Sequence, residues 1–385
     1  MAQIKGLQGL RPPADKAALI SSPPYDVIKP GSPLEAALKA NPCSLYHLIL
    51  GGDPPAALEK FIREGLLQED TEACYYLYRQ NWKDEERMGI FAAVAVDDYA
   101  KHNIIRHEKT FDDKVQGRIQ LARETGLTMG PIFFLTRSLI QSVMENIKGR
   151  LEPVYEFVSD LGGHSDMHGI HNRIYRVPED SQEGNVLQQE VAKNPLYIAD
   201  GHHRYHAALR NGQTHTLAYI TQNATIQAYN RVINGKTKFS SVKDQLKLEP
   251  RQDFQTPEKH HFCIYTGEGC YTLAASHVPE DVVGKLDCSI LEKELYPSLG
   301  ISHDMVLNQD YFDYYPESEL ETMKQVVDEG RFDLAVALHP VSPYELMEVA
   351  NAGLADPEIV MPEKSTFFSP KILSGLFLYR HQLRE

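Results

Sequence analysis

The residues best suited to chemistry lie together in the segment 196–210, which reads LYIADGHHRYHAALR. Asp200 supplies a carboxylate, His202 and His203 supply imidazoles, and Arg204 supplies a guanidinium. Guanidinium and imidazole groups donate hydrogen bonds to phosphate oxygens, and a carboxylate beside them holds Mg²⁺ or orients a nucleophile. This combination of side chains therefore indicates phosphate chemistry.

The apolar pattern predicts that these side chains lie where a strand passes into a helix. Residues 196–199 predict a short buried strand, and Tyr205, Ala208 and Leu209 recur at helical spacing. Gly201 permits the sharp turn between them. Backbone N–H groups and the positive end of the helix dipole receive anions at such a junction. The alternative is an Asp N-cap before a polar first turn, but four adjacent polar groups after a buried strand favour a site.

Two other segments gather polar side chains of similar kinds. In the motif SSPPYD, two prolines hold Tyr25 and Asp26 in a defined direction. In the motif RHEKT, His107 and Glu108 form a pair suited to acid or base work, and Arg118 follows on a predicted helix. Ordinary turns and exposed charged loops have the same patterns, so the structural alternative stays open for both motifs.

A further polar segment, MPEKSTFFSPK, occupies residues 361–371. Its phosphate-binding candidates are Lys364, Ser365, Thr366 and Lys371. Ammonium and hydroxyl groups suit phosphate oxygens. The alternative is a surface loop that its phenylalanines anchor to the core. Residues 372–379, which follow, have a helix-like pattern.

Composition narrows the classes of function. The chain has 53 acidic and 39 basic residues, a formal net charge of -14, and no long run of lysine and arginine, so its field repels nucleic acid. The five cysteines are far apart and form no Cys-x-x-Cys pair, which indicates reduced thiols. The first residues lack a signal-peptide core, and the longest apolar runs are too short to span a bilayer. We expect a cytoplasmic protein with no membrane partner.

The order of predicted elements indicates a mixed α/β fold. Helix-like segments at 34–40, 56–67, 112–126 and 143–151 are interspersed with strand-like segments at 74–78, 90–96, 131–135 and 173–177. After a weaker hydrophobic pattern at 241–260, strands at 271–274 and 334–338 alternate with helices at 317–329 and 343–351. Because 385 residues exceed one usual core, we predict an α/β domain over 1–240 and a second α/β subdomain over 241–385.

Five motifs together resemble one family of proteins. They are PPYDV at 23–27, HEKT at 107–110, GPIFFL at 130–135, ADGHHRYHAAL at 199–209 and MPEKSTFFSPK at 361–371. By these motifs the chain is identified as a member of the bacterial and archaeal family named domain of unknown function 1015. The resemblance extends over nearly the whole chain, and the segment 354–360 departs from it as extra sequence.

The Asp-Gly-His-His-Arg element is also similar to the central motif of the ParB/sulfiredoxin superfamily, whose strand-turn-helix element binds nucleotide phosphates. Within that superfamily it most resembles the free L-serine kinases. The resemblance implies a ParB/sulfiredoxin-like nucleotide-binding core that uses ATP or ADP with Mg²⁺. It implies that Asp200 is a catalytic or metal-side carboxylate and that Gly201, His202, His203 and Arg204 surround the phosphates.

The resemblance to the kinases covers this one motif, so the remaining roles are assigned from chemistry alone. Asp26 and Glu108 are the candidates for the base, and His203 joins Asp200 in the catalytic set. The candidates for substrate binding are Tyr25, His107 and Arg118. The leading hypothesis is a nucleotide-dependent kinase that phosphorylates the hydroxyl of a small molecule, with free L-serine first among the acceptors.

Two other functions remain open. A ParB-like nucleotide-binding regulator uses the motif as a conformational switch, although the acidic charge and the missing helix-turn-helix signal count against a DNA target. A phosphatase or nucleotide hydrolase uses the same anion site with water as the acceptor, and only the exclusion of water from the pocket separates it from a kinase. The sequence leaves the oligomeric state open, a homo-oligomer included.

Overall fold

Strand pairing divides the chain into two units. The computed structural model describes residues 1–160 and 168–384. Unit 1 comprises Met1–Ala224 and Pro370–Glu385, and unit 2 comprises Thr225–Ser369. The structure thus places the boundary earlier than the predicted boundary at 240/241, and the end of the chain returns to unit 1. The reason is that residues 225–233 pair with strands of unit 2, whereas 378–380 pair with strands formed before residue 130.

Unit 1 alternates strands and helices. Its strands are β1 (Ile4–Lys5), β2 (Gly9–Arg11), β3 (Gln68–Glu69), β4 (Cys74–Trp82), β5 (Glu85–Ala95), β6 (Ile104–Ile105), β7 (Leu127–Thr128), β8 (Ile132–Thr136), β9 (Pro153–Ser159), β10 (Ile170–Pro178), β11 (Leu196–Asp200), β12 (His215–Thr221) and β21 (Leu378–Arg380). Its helices are α1 (Ala17–Ile20), α2 (Pro33–Ala40), α3 (Tyr46–Ile49), α4 (Pro54–Arg63), α5 (Asp112–Thr125), α6 (Ile140–Lys148), α7 (Gln182–Val191) and α8 (His202–Arg210).

A nine-stranded mixed sheet forms the centre of unit 1. The strand order is β6-β11-β8-β12-β5-β4-β10-β9, and β1 pairs with β5. β11 runs parallel to β6, with Leu196 opposite Ile104, and antiparallel to β8. β8 is buried along its whole length, as expected for a strand covered on both faces. A smaller sheet has the order β3-β2-β21-β7.

Helix α5 packs on helix α8 beside this sheet. Val115 and Ile119 of α5 and Ala207 of α8 form a small buried apolar cluster. On the opposite face of α8, Tyr205 and Ala208 join the main core with Ile198 of β11. Apolar contacts on two faces therefore fix the position of α8, and its first turn follows the end of β11.

Unit 2 contains two sheets. Its strands are β13 (Thr225–Gln227), β14 (Tyr229–Ile233), β15 (Leu248–Arg251), β16 (His261–Thr266), β17 (Gly269–Ala274), β18 (Phe312–Pro316), β19 (Leu334–Leu338) and β20 (Phe367–Ser369). Its helices are α9 (Phe239–Val242), α10 (Asp287–Glu294), α11 (Leu320–Asp328) and α12 (Pro343–Ala355). The larger sheet has the order β15-β17-β16-β19-β14-β18, and β13 pairs with β20. Its core includes Val232, Met323, Val326 and Ala335.

The mixed α/β class is confirmed, and most predicted elements lie within a few residues of the observed ones. The helix-like reading of 372–379 is wrong, because this segment contains strand β21 and no helix. Gly375 has a φ of 92°, in the left-handed region, and the backbones of Ser22 and Ser374 pair. The apolar residues that suggested a helix, Ile372, Leu373, Leu376 and Phe377, are instead buried in a segment that bends before it enters β21. Of the described helices, none combines the length and the apolar character that a membrane crossing requires.

Candidate functional site

The site is built at the junction of β11 and α8 in unit 1. The strand ends at Asp200, the chain turns at Gly201 with φ 101°, and α8 begins at His202. A Cβ at Gly201 would lie 3.0 Å from Cζ of Arg204. Glycine is therefore required both by the backbone conformation and by the approach of Arg204. The N-cap residue of α8 is Gly201, which has no side chain to bind the first backbone N–H groups of the helix.

Asp200 is held between two cations. Arg204 Nη2 donates to Asp200 Oδ1 at 2.9 Å, and Lys371 Nζ lies 3.4 Å from Oδ2. The three side chains are 9 to 20 % exposed. Burial acts to raise the pKa of Asp200, but the charges of Lys371 and Arg204 outweigh it and lower the pKa. The carboxylate is ionised at neutral pH, and the trio carries a net positive charge.

The pairing of Asp200 bears on the magnesium predicted at this residue. Mg²⁺ binds through carboxylate oxygens that are open to it. Each oxygen of Asp200 already has a cationic partner, so the carboxylate fits an organiser of Arg204 and Lys371 better than a magnesium ligand.

A second group of polar side chains follows the adjacent parallel strand. His107 and Glu108 come shortly after β6, just as His202 comes shortly after β11, so the two carboxyl ends bring them together. His202 Nδ1 lies 3.2 Å from Glu108 Oε2, and the rings of His107 and His202 are 4.4 Å apart. His107 is fully buried and contacts these two side chains. Its predicted contact with substrate stays a prediction.

The electrostatics of this group favour an ionised Glu108 and a neutral His107. Burial acts to raise the pKa of Glu108, but His202 outweighs burial and brings this pKa to about 2. Burial and the neighbouring His202 lower the pKa of His107 to about 3. Glu108 is 34 % exposed, and it is the member of the group that solvent or a ligand can reach.

His203 contacts Phe111 in the loop before α5. The backbone N–H of Phe111 donates to His203 Nε2 at 3.1 Å, and the two rings stack with centroids 5.8 Å apart. Burial, followed by the charge of Lys114, lowers the pKa of His203 to about 4. A neutral imidazole that accepts this bond positions Phe111, and its predicted catalytic role stays a prediction.

Tyr25 and Arg118 are brought together beside Arg204. The guanidinium of Arg118 lies over the ring of Tyr25, 4.1 Å from its centroid. Burial raises the pKa of Tyr25, the carboxylate of Asp26 adds to the rise, and Arg204 and Arg118 oppose it. Asp26 itself is exposed, in the short helical turn Tyr25–Val27. The predicted substrate residues Tyr25 and Arg118 therefore adjoin the predicted phosphate residue Arg204.

A cavity of about 60 Å³ opens among these side chains. Tyr25, Arg118 and Arg204 contribute polar groups to its lining, together with Gln213 and Thr216. Its apolar lining includes Ile49, Leu121, Leu127, Met129, Ala207 and Ala208. Sequence reasoning missed Gln213 and Thr216, because neither lies in a motif.

The segment 361–371 is divided between the units. Lys371 lies in unit 1 at Asp200, whereas Lys364, Ser365 and Thr366 lie in unit 2. Within unit 2, Ser365 is buried, and Lys364 Nζ lies 5.6 Å from the ring centroid of Tyr229. The assignment of 364–366 to cofactor binding remains a prediction.

Comparison with known proteins identifies a family. The model of the family described as Protein of unknown function (DUF1015) matches residues 4–289. No curated protein matches the chain.

Several solved structures are similar to this one at low sequence identity. A free serine kinase in complex with AMP is 13 % identical, over 77 % of this chain and 87 % of that chain, with a TM-score of 0.34. SbnI with a C-terminal truncation, from Staphylococcus aureus, is 11 % identical over 75 % and 87 %, with a TM-score of 0.40. A conserved hypothetical protein from Pyrococcus furiosus is 14 % identical over 76 % and 95 %, with a TM-score of 0.37.

Proposed function

The chain belongs to the family described as Protein of unknown function (DUF1015), and we propose that it is a nucleotide-dependent kinase that phosphorylates the hydroxyl of a small molecule. ATP or ADP is the proposed donor, and free L-serine is the first acceptor to test. The resemblance of residues 200–204 to the motif of the free L-serine kinases supports the choice. The uncapped first turn of α8 beside Arg204 and Lys371 is the observation that carries it.

Three features make this first turn suited to a phosphate group. Its N-cap is a glycine, so no N-cap side chain competes for the backbone N–H groups, and the helix dipole is positive at this end. Arg204 and Lys371 add two cations against the single carboxylate of Asp200. Gly201 has no side chain to obstruct the approach of a ligand to the backbone. Together these groups form a positively charged, preorganised site for a nucleotide phosphate.

Asp200 has a positioning role in this proposal. Its two oxygens hold Arg204, which is 4 residues away in the chain, and Lys371, which is 171 residues away. Arg204 Nη1 also donates to the carbonyl of Pro131. A guanidinium fixed by two partners loses little further freedom when it binds a phosphate oxygen.

The acceptor is proposed to bind near Tyr25 and Arg118, which line the cavity with Arg204. A cavity that is apolar on one side and carries two guanidinium groups suits a small molecule with an anionic group. Asp26 and Glu108 remain the two candidates to receive the hydroxyl proton. Glu108 is kept ionised beside His202, and Asp26 is exposed next to Tyr25.

Phosphorus NMR with the full chain, Mg²⁺, ATP or ADP and a mixture of serine and other small alcohols tests the proposal. A new phosphomonoester signal identifies a kinase and its acceptor. Free phosphate as the sole product identifies a hydrolase instead. Nucleotide binding without any product favours a ParB-like regulator, and a folded protein that binds no nucleotide contradicts all three.

The Arg204→Ala variant tests whether the first turn of α8 binds the nucleotide phosphates. We expect nucleotide affinity to fall about 10-fold or more, since a charge-assisted hydrogen bond is lost. Arg210→Ala is the matched control, because Arg210 is on the same helix and pairs with the exposed Asp112. Equal nucleotide affinity of Arg204→Ala and the parent chain, measured by calorimetry, would show that this turn does not bind the phosphates.

A further inference from the structure

The side chains of His107, Glu108 and His202 in unit 1 form a compact set of metal-ligating atoms. One nitrogen or oxygen from each lies within 4.8 Å of the others. Within residues 1–160 and 168–384, it is the one group of three or more histidine, cysteine or acidic side chains that meets this distance. We propose that these three residues bind one divalent transition-metal ion of the Zn²⁺ or Co²⁺ type.

The ring of His107 gives the first independent support. It is fully buried, and among the described residues its Nε2 atom, which faces Glu108, has no hydrogen-bond partner. Nε2 lies 3.7 Å from Oε1 of Glu108, which is too far for a hydrogen bond. A buried polar group without a partner costs free energy, and an ion or a water is the usual explanation for such a group. A metal ion between His107 and Glu108 supplies the missing partner.

The ligand atoms are close enough for one tetrahedral ion to draw them together. Metal to nitrogen and metal to oxygen bonds of about 2.0 to 2.2 Å at tetrahedral angles separate the ligand atoms by about 3.3 Å. Here Oε2 of Glu108 lies 3.2 Å from His202 Nδ1, Oε1 lies 3.7 Å from His107 Nε2, and one ligand atom from each residue lies within 4.8 Å of the others. Side-chain movements of up to about 1.5 Å, the difference between 4.8 and 3.3 Å, complete the geometry.

The donor set selects the class of ion. Two imidazoles and one carboxylate suit zinc, cobalt and similar ions, whereas Mg²⁺ prefers oxygen ligands. Three protein ligands also leave a coordination position open, which is the arrangement of catalytic rather than structural zinc sites. Glu108 is the exposed member of the set, so the open position is expected on its side.

Ion binding competes with a hydrogen bond of His202. Nδ1 of His202 faces Glu108 at 3.2 Å, and Nε2 accepts from the backbone N–H of His107 at 3.4 Å. Ligation through Nδ1 moves the ring proton to Nε2, so the 3.4 Å contact opens. This 3.4 Å contact is the weaker of the two contacts of His202. The other contact, between Nδ1 and Glu108, is replaced by one bond from the metal to Nδ1 and one from the metal to Glu108.

This inference does not depend on the proposed kinase function. Metal binding is measured without nucleotide or acceptor, so either proposal can fail while the other stands. In the metal-bound form Glu108 is a ligand, and its candidacy as a proton acceptor applies to the metal-free form.

Titration of the chelator-treated full chain with Co²⁺ tests the site. We expect one Co²⁺ per chain, visible absorption of the kind that four-coordinate Co²⁺ shows, and displacement by Zn²⁺ but not by excess Mg²⁺. His107→Ala and Glu108→Gln should each bind Co²⁺ at least about 10-fold more weakly. His206→Ala is the matched control, because His206 is on the same helix and outside the group. It should bind as the parent does.

Circular dichroism checks that each variant is folded. If His107→Ala does not fold, the Glu108→Gln result stands alone, and the rise of the parent's unfolding temperature with Co²⁺ gives a measurement without any variant. Absence of stoichiometric Co²⁺ binding by the parent overturns the proposal. Unchanged binding by folded His107→Ala and Glu108→Gln overturns it as well, since the ion is then bound elsewhere.

Discussion

Two helices of this chain follow a buried strand and begin in opposite ways. In unit 2, Ser342 and Glu345 form a reciprocal capping box at the start of α12, with proline in the first turn. In unit 1, α8 begins one residue after β11, with Gly201 as its N-cap and no capping side chain. The first helix satisfies its N-terminal donors from its own sequence. The second has no N-cap side chain to bind them, which suits the anion site proposed there.

Charge shows the same contrast. Glu345 is buried at the capped start of α12 and faces Lys259, so the carboxylate and its partners complete a closed set. At the start of α8, the carboxylate of Asp200 has two cationic partners, Arg204 and Lys371, where Glu345 has one. The comparison teaches that a polar turn at the start of a helix indicates a ligand site only when its hydrogen-bond donors outnumber its hydrogen-bond acceptors.

The largest expected effect is that of Asp200→Asn. Asparagine keeps the shape of the side chain but removes the charge that holds Arg204 and Lys371. We expect phosphoryl transfer to fall about 10²- to 10³-fold, while the circular dichroism spectrum stays that of the parent. Asp112→Asn is the control, because Asp112 is exposed and pairs at the far end of α8. If Asp200→Asn turned over at the parent rate, Asp200 would have no part in the mechanism, and the proposed functional difference between the starts of α8 and α12 would be wrong.

Gly201→Ala acts on the uncapped start itself. An alanine at φ 101° is strained, and its Cβ displaces Arg204, 3.0 Å away. We expect a loss of about 1 to 3 kcal/mol in the free energy of unfolding and weaker nucleotide binding. Gly212→Ala separates the two effects, because Gly212 has φ 71° but nothing within 4 Å of the added Cβ. Its urea denaturation should also shift, whereas its nucleotide affinity should not.

Ser342→Ala sharpens the comparison from the capped side. Removing the hydroxyl leaves Glu345 N without its 3.2 Å bond, and we expect the free energy of unfolding to fall by about 1 kcal/mol. Nucleotide binding should be unchanged. Ser342→Thr retains the hydroxyl and should restore most of the stability in the same denaturation experiment. A change in nucleotide affinity on loss of this cap would mean that the two helix starts are not functionally distinct.

The substitution Glu345→Gln has the smallest expected effect on the free energy of unfolding, and this effect depends on pH. Burial acts to raise the pKa of Glu345, but the bonds from Lys259 and Ser342 outweigh burial and lower it. The unfolded chain therefore binds the proton more readily, so the stabilisation is present above the ordinary pKa of glutamate and disappears as the pH falls through the folded-state value. We expect parent and Glu345→Gln to differ by under about 1 kcal/mol at pH 7 and to converge in acid. A difference that grows on acidification would contradict this sign.

The local pattern predicted much of unit 1 and part of the site. Residues 196–210 alone predict the buried strand, the turn at Gly201 and the helix after it. The hydrophobic period and the conformational freedom of glycine depend on only a few neighbouring residues, so both can be recognised in a short segment. The helix-like reading of 372–379 failed because pairing with β2 and β7, far away in sequence, overrode the local pattern.

Contacts between distant segments account for what the sequence could not predict at the site. The partnership of His107 with His202 depends on β6 lying parallel to β11, and a two-residue strand gives almost no pattern of its own. Lys371 was predicted as a phosphate residue, but nothing in its segment indicated that it pairs with Asp200. Residues 364–371 looked like one motif, yet the division between units separates Lys371 from Lys364.

The return of the chain to unit 1 sets an order of assembly during synthesis. Lys371 follows Asp200 by 171 residues, so the ribosome makes all of unit 2 before it makes the second cation of the anion site. At about 5 to 20 residues per second, the nascent chain carries Asp200 for roughly 10 to 30 s without this partner. A chain released early within unit 2 would keep the Asp-Gly-His-His-Arg motif but lack both Lys371 and β21. Completion of the site thus follows the synthesis of unit 2.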